Sequence, residues 1–127
     1  MIKSIETPLG VVAGRDGIYL DQIEQSFSPS TLLFSGDLNG DLCARNSCEK
    51  EWIPYKLKFL NVIAYECQGL DLCYWEKDTL SCFDESSKPF FEGDTDYGDQ
   101  YRYFYLSTYD YMFKIVAKNY EMDVNLD

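Results

Sequence analysis

Residues 108–126, TYDYMFKIVAKNYEMDVNL, decide the fold class. Tyr109, Met112, Phe113, Val116 and Tyr120 recur three or four residues apart, the spacing of one apolar stripe on a helix. Thr108 is a suitable N-cap, because its hydroxyl can accept a bond from an early helix N–H. Asp110 then falls in the first turn, where the helix dipole favours negative charge, and Lys118 falls near the opposite end. Asn119 can close the helix. The spacing therefore predicts a helix over about 108–119. Beyond it, Met122, Val124 and Leu126 alternate with Glu121, Asp123 and Asn125, which predicts a final half-buried strand.

The chain upstream of this stretch reads as strands and turns. Tyr101–Leu106 (YRYFYL) carries bulky groups on both faces, so it is expected to lie centrally and be covered on both sides. From Trp52, the residues Tyr55, Leu57 and Phe59 alternate with Lys56 and Lys58, placing the lysines in water. Asn61 marks a bulge or bend, Val62–Tyr65 continue the strand, and Gln68-Gly69 breaks it. Leu70–Trp75 and Thr31–Phe34 read as further strands. Asp16-Gly17, between Val11-Val12 and Ile18–Leu20, reads as a hairpin turn. Asp37–Glu51 is polar and reads as a loop. The expected fold is α+β over one domain, residues 1–127. It is a mostly antiparallel sheet of several short strands, with one C-terminal helix (108–119) packed on it and a final strand.

Composition limits function. The 127 residues are 46% hydrophobic and 17% aromatic, with 11 Tyr and 8 Phe. That is enough to build a core without disulfides or metal. The 22 acidic against 11 basic residues give a formal charge of −11. Nucleic acid is excluded as a partner, because that affinity comes from Lys and Arg displacing counterions. Anionic membrane surfaces are excluded on the same ground. A basic protein is the natural complement. Met1–Gly17 contains Lys3, Glu6, Arg15 and Asp16 without a long apolar core, so it does not read as a signal peptide. With an odd set of five cysteines, this points to reduced thiols and a cytoplasmic location.

Familiar chemistry is missing. The chain has no histidine, which removes the usual acid–base and nucleophile pairs and the commonest metal ligand. No glycine-rich phosphate loop is present. Ser35–Leu42 (SGDLNGDL) resembles the opening of an EF-hand or dockerin calcium loop through Asp37, Asn39 and Asp41. The pattern then fails, because Leu42 stands where the turn glycine belongs and Cys48 where the bidentate acid belongs. A turn rich in Asp, Asn and Gly is the preferred reading. Cys43 and Cys48, with four residues between them, are within zinc-ligand spacing, but Cys67 and Cys73, with five between them, are not. The second pair also falls on expected strands, where Cys is often a small buried hydrophobe, so a four-Cys zinc site is not the preferred reading. No metal and no cofactor is expected. Acid neighbours such as Asp84 with Glu85 leave open a small ligand-binding or carboxylate-based enzymatic domain. The acidic loop Glu92–Gln100 and the strand after it supply the expected partner-binding residues Asp94, Asp96, Tyr97, Asp99 and Tyr101, since Tyr is enriched in binding hot spots.

The segment Trp52–Asp71, the SCFDESS piece at Ser81 and the closing YFYLSTYDYMFKIVAKNYEMDV resemble a pattern of small, uncharacterised bacterial cytosolic proteins. In size, acidity and lack of catalytic residues the chain also resembles bacterial immunity proteins, which neutralise toxins by occluding them. That resemblance implies a non-enzymatic inhibitor of a basic protein and carries no site residues with it.

Overall fold

The alternation around Tyr55, Leu57 and Phe59 produces the longest strand of the molecule, and the other strands are arranged about it. The structure, a computed structural model, describes residues 1–46, 50–73, 79–90 and 100–127. Its strands are β1 (Ile2–Ser4), β2 (Ile18–Phe27), β3 (Ser30–Asn39), β4 (Trp52–Gly69), β5 (Phe83–Ser86), β6 (Arg102–Ser107) and β7 (Tyr111–Val124). All neighbours pair antiparallel in one sheet, in the order β1-β5-β6-β7-β4-β3-β2. Two single 3₁₀ turns, Gly40–Leu42 and Leu70–Leu72, are the helical elements among the described residues. No helix of the described residues is long and apolar enough to cross a membrane.

The sheet rolls around one core. Phe59 on β4 meets Phe83 on β5 at 6.0 Å between ring centroids, although β6 and β7 lie between those strands in the sheet. Phe34 on β3 likewise meets Phe113 on β7 at 5.0 Å. The chain between β1 and β2 crosses one end of the roll, where Ile5, Leu9 and Val12 are buried. Its backbone bonds both to Phe83 and Cys82 and to Leu42, Ala44 and Arg45. There the Cys82 thiol donates to the Gly14 carbonyl at 3.1 Å, and burial, chiefly, pushes its pKa up to about 12.

The expected helix over 108–119 is absent, and the fold is a sheet protein instead of α+β. Residues 111–124 form β7, and the final strand expected after Asn119 is its continuation. Phe113, Ile115 and Ala117 face the main core, while Met112 and Val116 lie on the opposite, equally buried face. Lys118 and Asn119 are both exposed, and the strand then resumes its inward positions at Tyr120, Met122 and Val124. That three-residue step from Ala117 to Tyr120 copies helical spacing. Two buried faces also erase the polar alternation that would identify a strand. The β-branched and aromatic residues of the stretch suit a pleated sheet.

Thr108 uses its hydroxyl as a turn residue. Its Oγ donates to the Tyr111 carbonyl at 2.9 Å and accepts from the Tyr111 N–H at 3.3 Å. The chemistry is that of an N-cap, but it closes the β6–β7 hairpin, whose connection is residues 108–110. Removing the buried hydroxyl in Thr108→Val is expected to lower stability by about 1–2 kcal/mol, read from urea unfolding followed by tryptophan fluorescence.

Other expectations also shift. Val12 bridges Cys43 and does not pair with Ile18, so the Asp16-Gly17 hairpin does not form. Leu70–Leu72 is a 3₁₀ turn where a strand was expected. Asp37–Asn39 ends β3 before the loop begins, and Asn39 Oδ1 accepts from the Asp41 N–H at 3.0 Å. Asn61 has a φ of 56°, and the β4–β7 register slips between Val62 and Ala64, as a bulge there requires. YRYFYL does lie in a strand, β6, between β5 and β7. Phe90 covers its outer face, 4.7 Å from the Tyr105 ring and 5.6 Å from Tyr103.

Candidate partner-binding surface

Strand alternation sends Ile18, Leu38 and Ile53 into the core and turns Tyr19, Asp37, Asn39 and Trp52 to the opposite face. Tyr19 pairs with Asp37, and Asn39 with Trp52, so Tyr19 and Trp52 meet diagonally across β3. Their ring centroids are 5.0 Å apart, edge to face at 85°. The β6–β7 hairpin turn reaches the same place from the interior of the sheet order, brought there by the roll. The Tyr109 N–H donates to the Ile18 carbonyl at 2.9 Å, which lays the Tyr109 ring on Tyr19 at 5.0 Å and 18°. Arg15 lies over Tyr109, with its guanidinium carbon 5.0 Å from the ring centroid. Its Nε donates to the Tyr109 carbonyl at 3.2 Å, and its terminal nitrogen is 4.0 Å from Asp110.

Three aromatic rings and an arginine thus form a connected surface, with Trp52 42% exposed. Acids surround it. Burial first, and then Asp16, Tyr109 and Asp110, push the Tyr19 phenol up, while Arg15 acts in the opposite sense. An exposed aromatic group with a negative surround has two ways to hold a cation, through ring faces and through carboxylates.

Of the residues expected from sequence to bind a partner, Asp94, Asp96, Tyr97 and Asp99 lie outside the described residues. Tyr101 is half-buried, with the Lys118 ammonium 5.6 Å above its ring. It sits at the opposite end of β6 from Tyr109, so the structure does not bring it to the aromatic cluster. Sequence reasoning missed Tyr19, Trp52 and Tyr109. One signal was present: Tyr19 and Trp52 are large aromatics beside the inward Ile18 and Ile53, at outward positions where polar residues are usual.

The clefts offer less. The largest described one, about 490 Å³, is lined by Met1, Ile2, Leu80, Ser86, Lys88, Pro89 and Tyr105, with no carboxylate side chain among these described residues. Two smaller clefts each contain one, Glu85 or Asp123. Glu85 is already engaged by Arg102 through two bonds, of 3.0 and 2.7 Å. Asp84, though buried, accepts from the Leu80 and Ser81 N–H groups and the Ser81 hydroxyl, which makes it a turn-holding group. Among the described residues, no set of three or more Cys, Asp or Glu is arranged to hold a metal.

No family model matches the chain. No curated protein matches it either. Among solved structures it is similar to an uncharacterized protein from Neisseria gonorrhoeae, 15% identical over 97% of both chains with a TM-score of 0.48, and that likeness brings no link to immunity proteins.

Proposed function

We propose that the protein is a non-enzymatic binding domain that takes a basic protein partner on the Tyr19–Trp52–Tyr109 surface. The observation that carries this reading is the connected aromatic cluster, with Trp52 exposed, Tyr19 and Tyr109 half-buried, and Asp16 and Asp110 beside it. Tyr, Trp and Arg are the residue types that dominate binding hot spots. The charge of −11 adds long-range attraction for a cationic surface. An inhibitor or immunity-type role, covering a basic target, is the form of this reading that fits the charge and the size. The carboxylate-enzyme alternative would need acids converging in a cleft, and the described clefts do not supply that arrangement.

A titration of the isotope-labelled protein with a hexalysine peptide tests the reading. Chemical-shift changes are expected to gather on Tyr19, Trp52 and Tyr109. The affinity should fall by about tenfold as ionic strength rises toward 1 M. Trp52→Ala should weaken binding by roughly tenfold. Shifts scattered over the surface, or an affinity indifferent to salt, would sink the proposal.

A further inference from the structure

The Tyr109 ring is held in place by groups other than Arg15. Tyr19 stacks on one face at 5.0 Å, and the Tyr109 N–H is bonded to the Ile18 carbonyl, so the ring and its carbonyl are fixed by the sheet itself. The ring also receives a guanidinium, 5.0 Å from its centroid. Arg15 supplies a plane over the ring, an Nε–H aimed at the carbonyl of the same residue, and a charge 4.0 Å from Asp110. These are three separate features that recognise an arginine head group, and they converge on one residue.

Arg15 itself is a loose occupant. Its side chain is 55% exposed, and Asp110 is 72% exposed. It belongs to the exposed loop just after Gly14, whose φ is 110°. A cation–π contact at such an exposed position corresponds to roughly a 2- to 5-fold preference. The ion pair, at 4.0 Å between exposed side chains, adds little, so an incoming guanidinium that can make the same three contacts competes for the place.

We propose that the Tyr109 ring, its carbonyl and Asp110 form a guanidinium seat, filled in the free protein by the chain's own Arg15 and taken over by an arginine side chain of the basic partner. As a route of partner entry this rests on the binding reading above, whereas the seat itself rests on the Arg15–Tyr109 geometry alone. Arg15 then acts as an internal competitor, and its removal strengthens binding of an external guanidinium. If Arg15 were instead one of the contacts offered to a partner, its removal would weaken binding.

The test uses methylguanidinium as the probe, with methylammonium as a control that has the same charge and no planar face. Binding is followed by the ring resonances of Tyr109 and Tyr19 in wild type, Arg15→Ala and Arg15→Lys. In Arg15→Ala the midpoint for methylguanidinium is expected to fall about 2- to 5-fold below that of wild type. Arg15→Lys should behave like Arg15→Ala, because an ammonium supplies neither the plane nor the Nε–H. Methylammonium should move these resonances less than methylguanidinium in both variants. Equal midpoints in wild type and Arg15→Ala, weaker binding in the variant, or a methylammonium response as strong as that of methylguanidinium would each overturn the seat. The hexalysine titration contains no guanidinium, so its failure removes the partner reading while leaving this result to stand or fall separately.

Discussion

Replacing Phe59 with alanine is expected to destabilise the protein by about 3–5 kcal/mol. Phe59 is fully buried, and its ring lies 5.6 Å from Phe34, 6.0 Å from Phe83 and 5.3 Å from Phe104. Those partners come from β3, β5 and β6, so one side chain of β4 joins three other strands across the rolled core. Truncation removes the apolar burial and leaves a cavity that rings fixed on three strands cannot easily fill. For a chain of ordinary stability the loss is about a fifth or more of the total. Urea unfolding, read by the shift of its midpoint at constant slope, measures it. Phe59→Leu, which keeps most of the volume, should lose about 1.5 kcal/mol or less. If alanine proves as mild as leucine, Phe59 is not the central packing residue described here.

Gly36→Ala is expected to act on stability and on binding together. A Cβ at Gly36 would lie 2.0 Å from the Tyr19 carbonyl oxygen and 2.9 Å from its carbon. Both are backbone atoms, so no rotamer change relieves the contact. The register of β2 slips between Leu20 and Gln22, and Asp21, within this irregularity, would have its N 3.1 Å from the same Cβ. The bulged strand leans over β3 at the one position without a side chain. Parting the two strands should cost about 2–4 kcal/mol. The group pushed away belongs to Tyr19, so its ring should leave Tyr109, and affinity for the hexalysine peptide should drop by roughly tenfold. Unfolding curves and the cross-peaks between the two rings read the two effects separately. An alanine variant with native stability and an intact stack would contradict this account.

How much of this was visible in the sequence depended on how many faces of each strand are buried. β4 has one wet face over Tyr55–Phe59, so its alternation with Lys56 and Lys58 was legible. Asn61 was legible as a bend because few residue types accept positive φ. β7 misled because it is buried on both faces and shifts phase at Lys118-Asn119, which turned a strand into an apparent helical stripe. Thr108 fits an N-cap and a hairpin turn equally well, since both use the same side-chain bond to backbone. Val12 lost its expected partner because the loop preferred Cys43, a contact no local pattern encodes. The aromatic surface was the least visible feature. Tyr19, Trp52 and Tyr109 come from β2, β4 and the β6–β7 turn, and only the closure of the sheet makes them neighbours. The tyrosines beside the acidic loop carry the reading from sequence, and the connected rings of the described residues lie elsewhere.

The bond from Tyr109 to Ile18 also has a kinetic meaning. The β2–β3 and β6–β7 hairpins are local in the chain and can form on the microsecond scale. β1 with β5, and β4 with β7, pair residues from distant parts of the sequence, which is the kind of topology that slows folding to milliseconds or longer. Tyr19 and Tyr109 sit on the two separate hairpins, so their stack cannot exist until both have formed and the roll between them has closed. The Tyr19–Tyr109 surface therefore depends on contacts between parts of the chain far apart in sequence. A chain in which the roll has not closed would lack the stack, so the ring cross-peaks between Tyr19 and Tyr109 also report that the roll has closed.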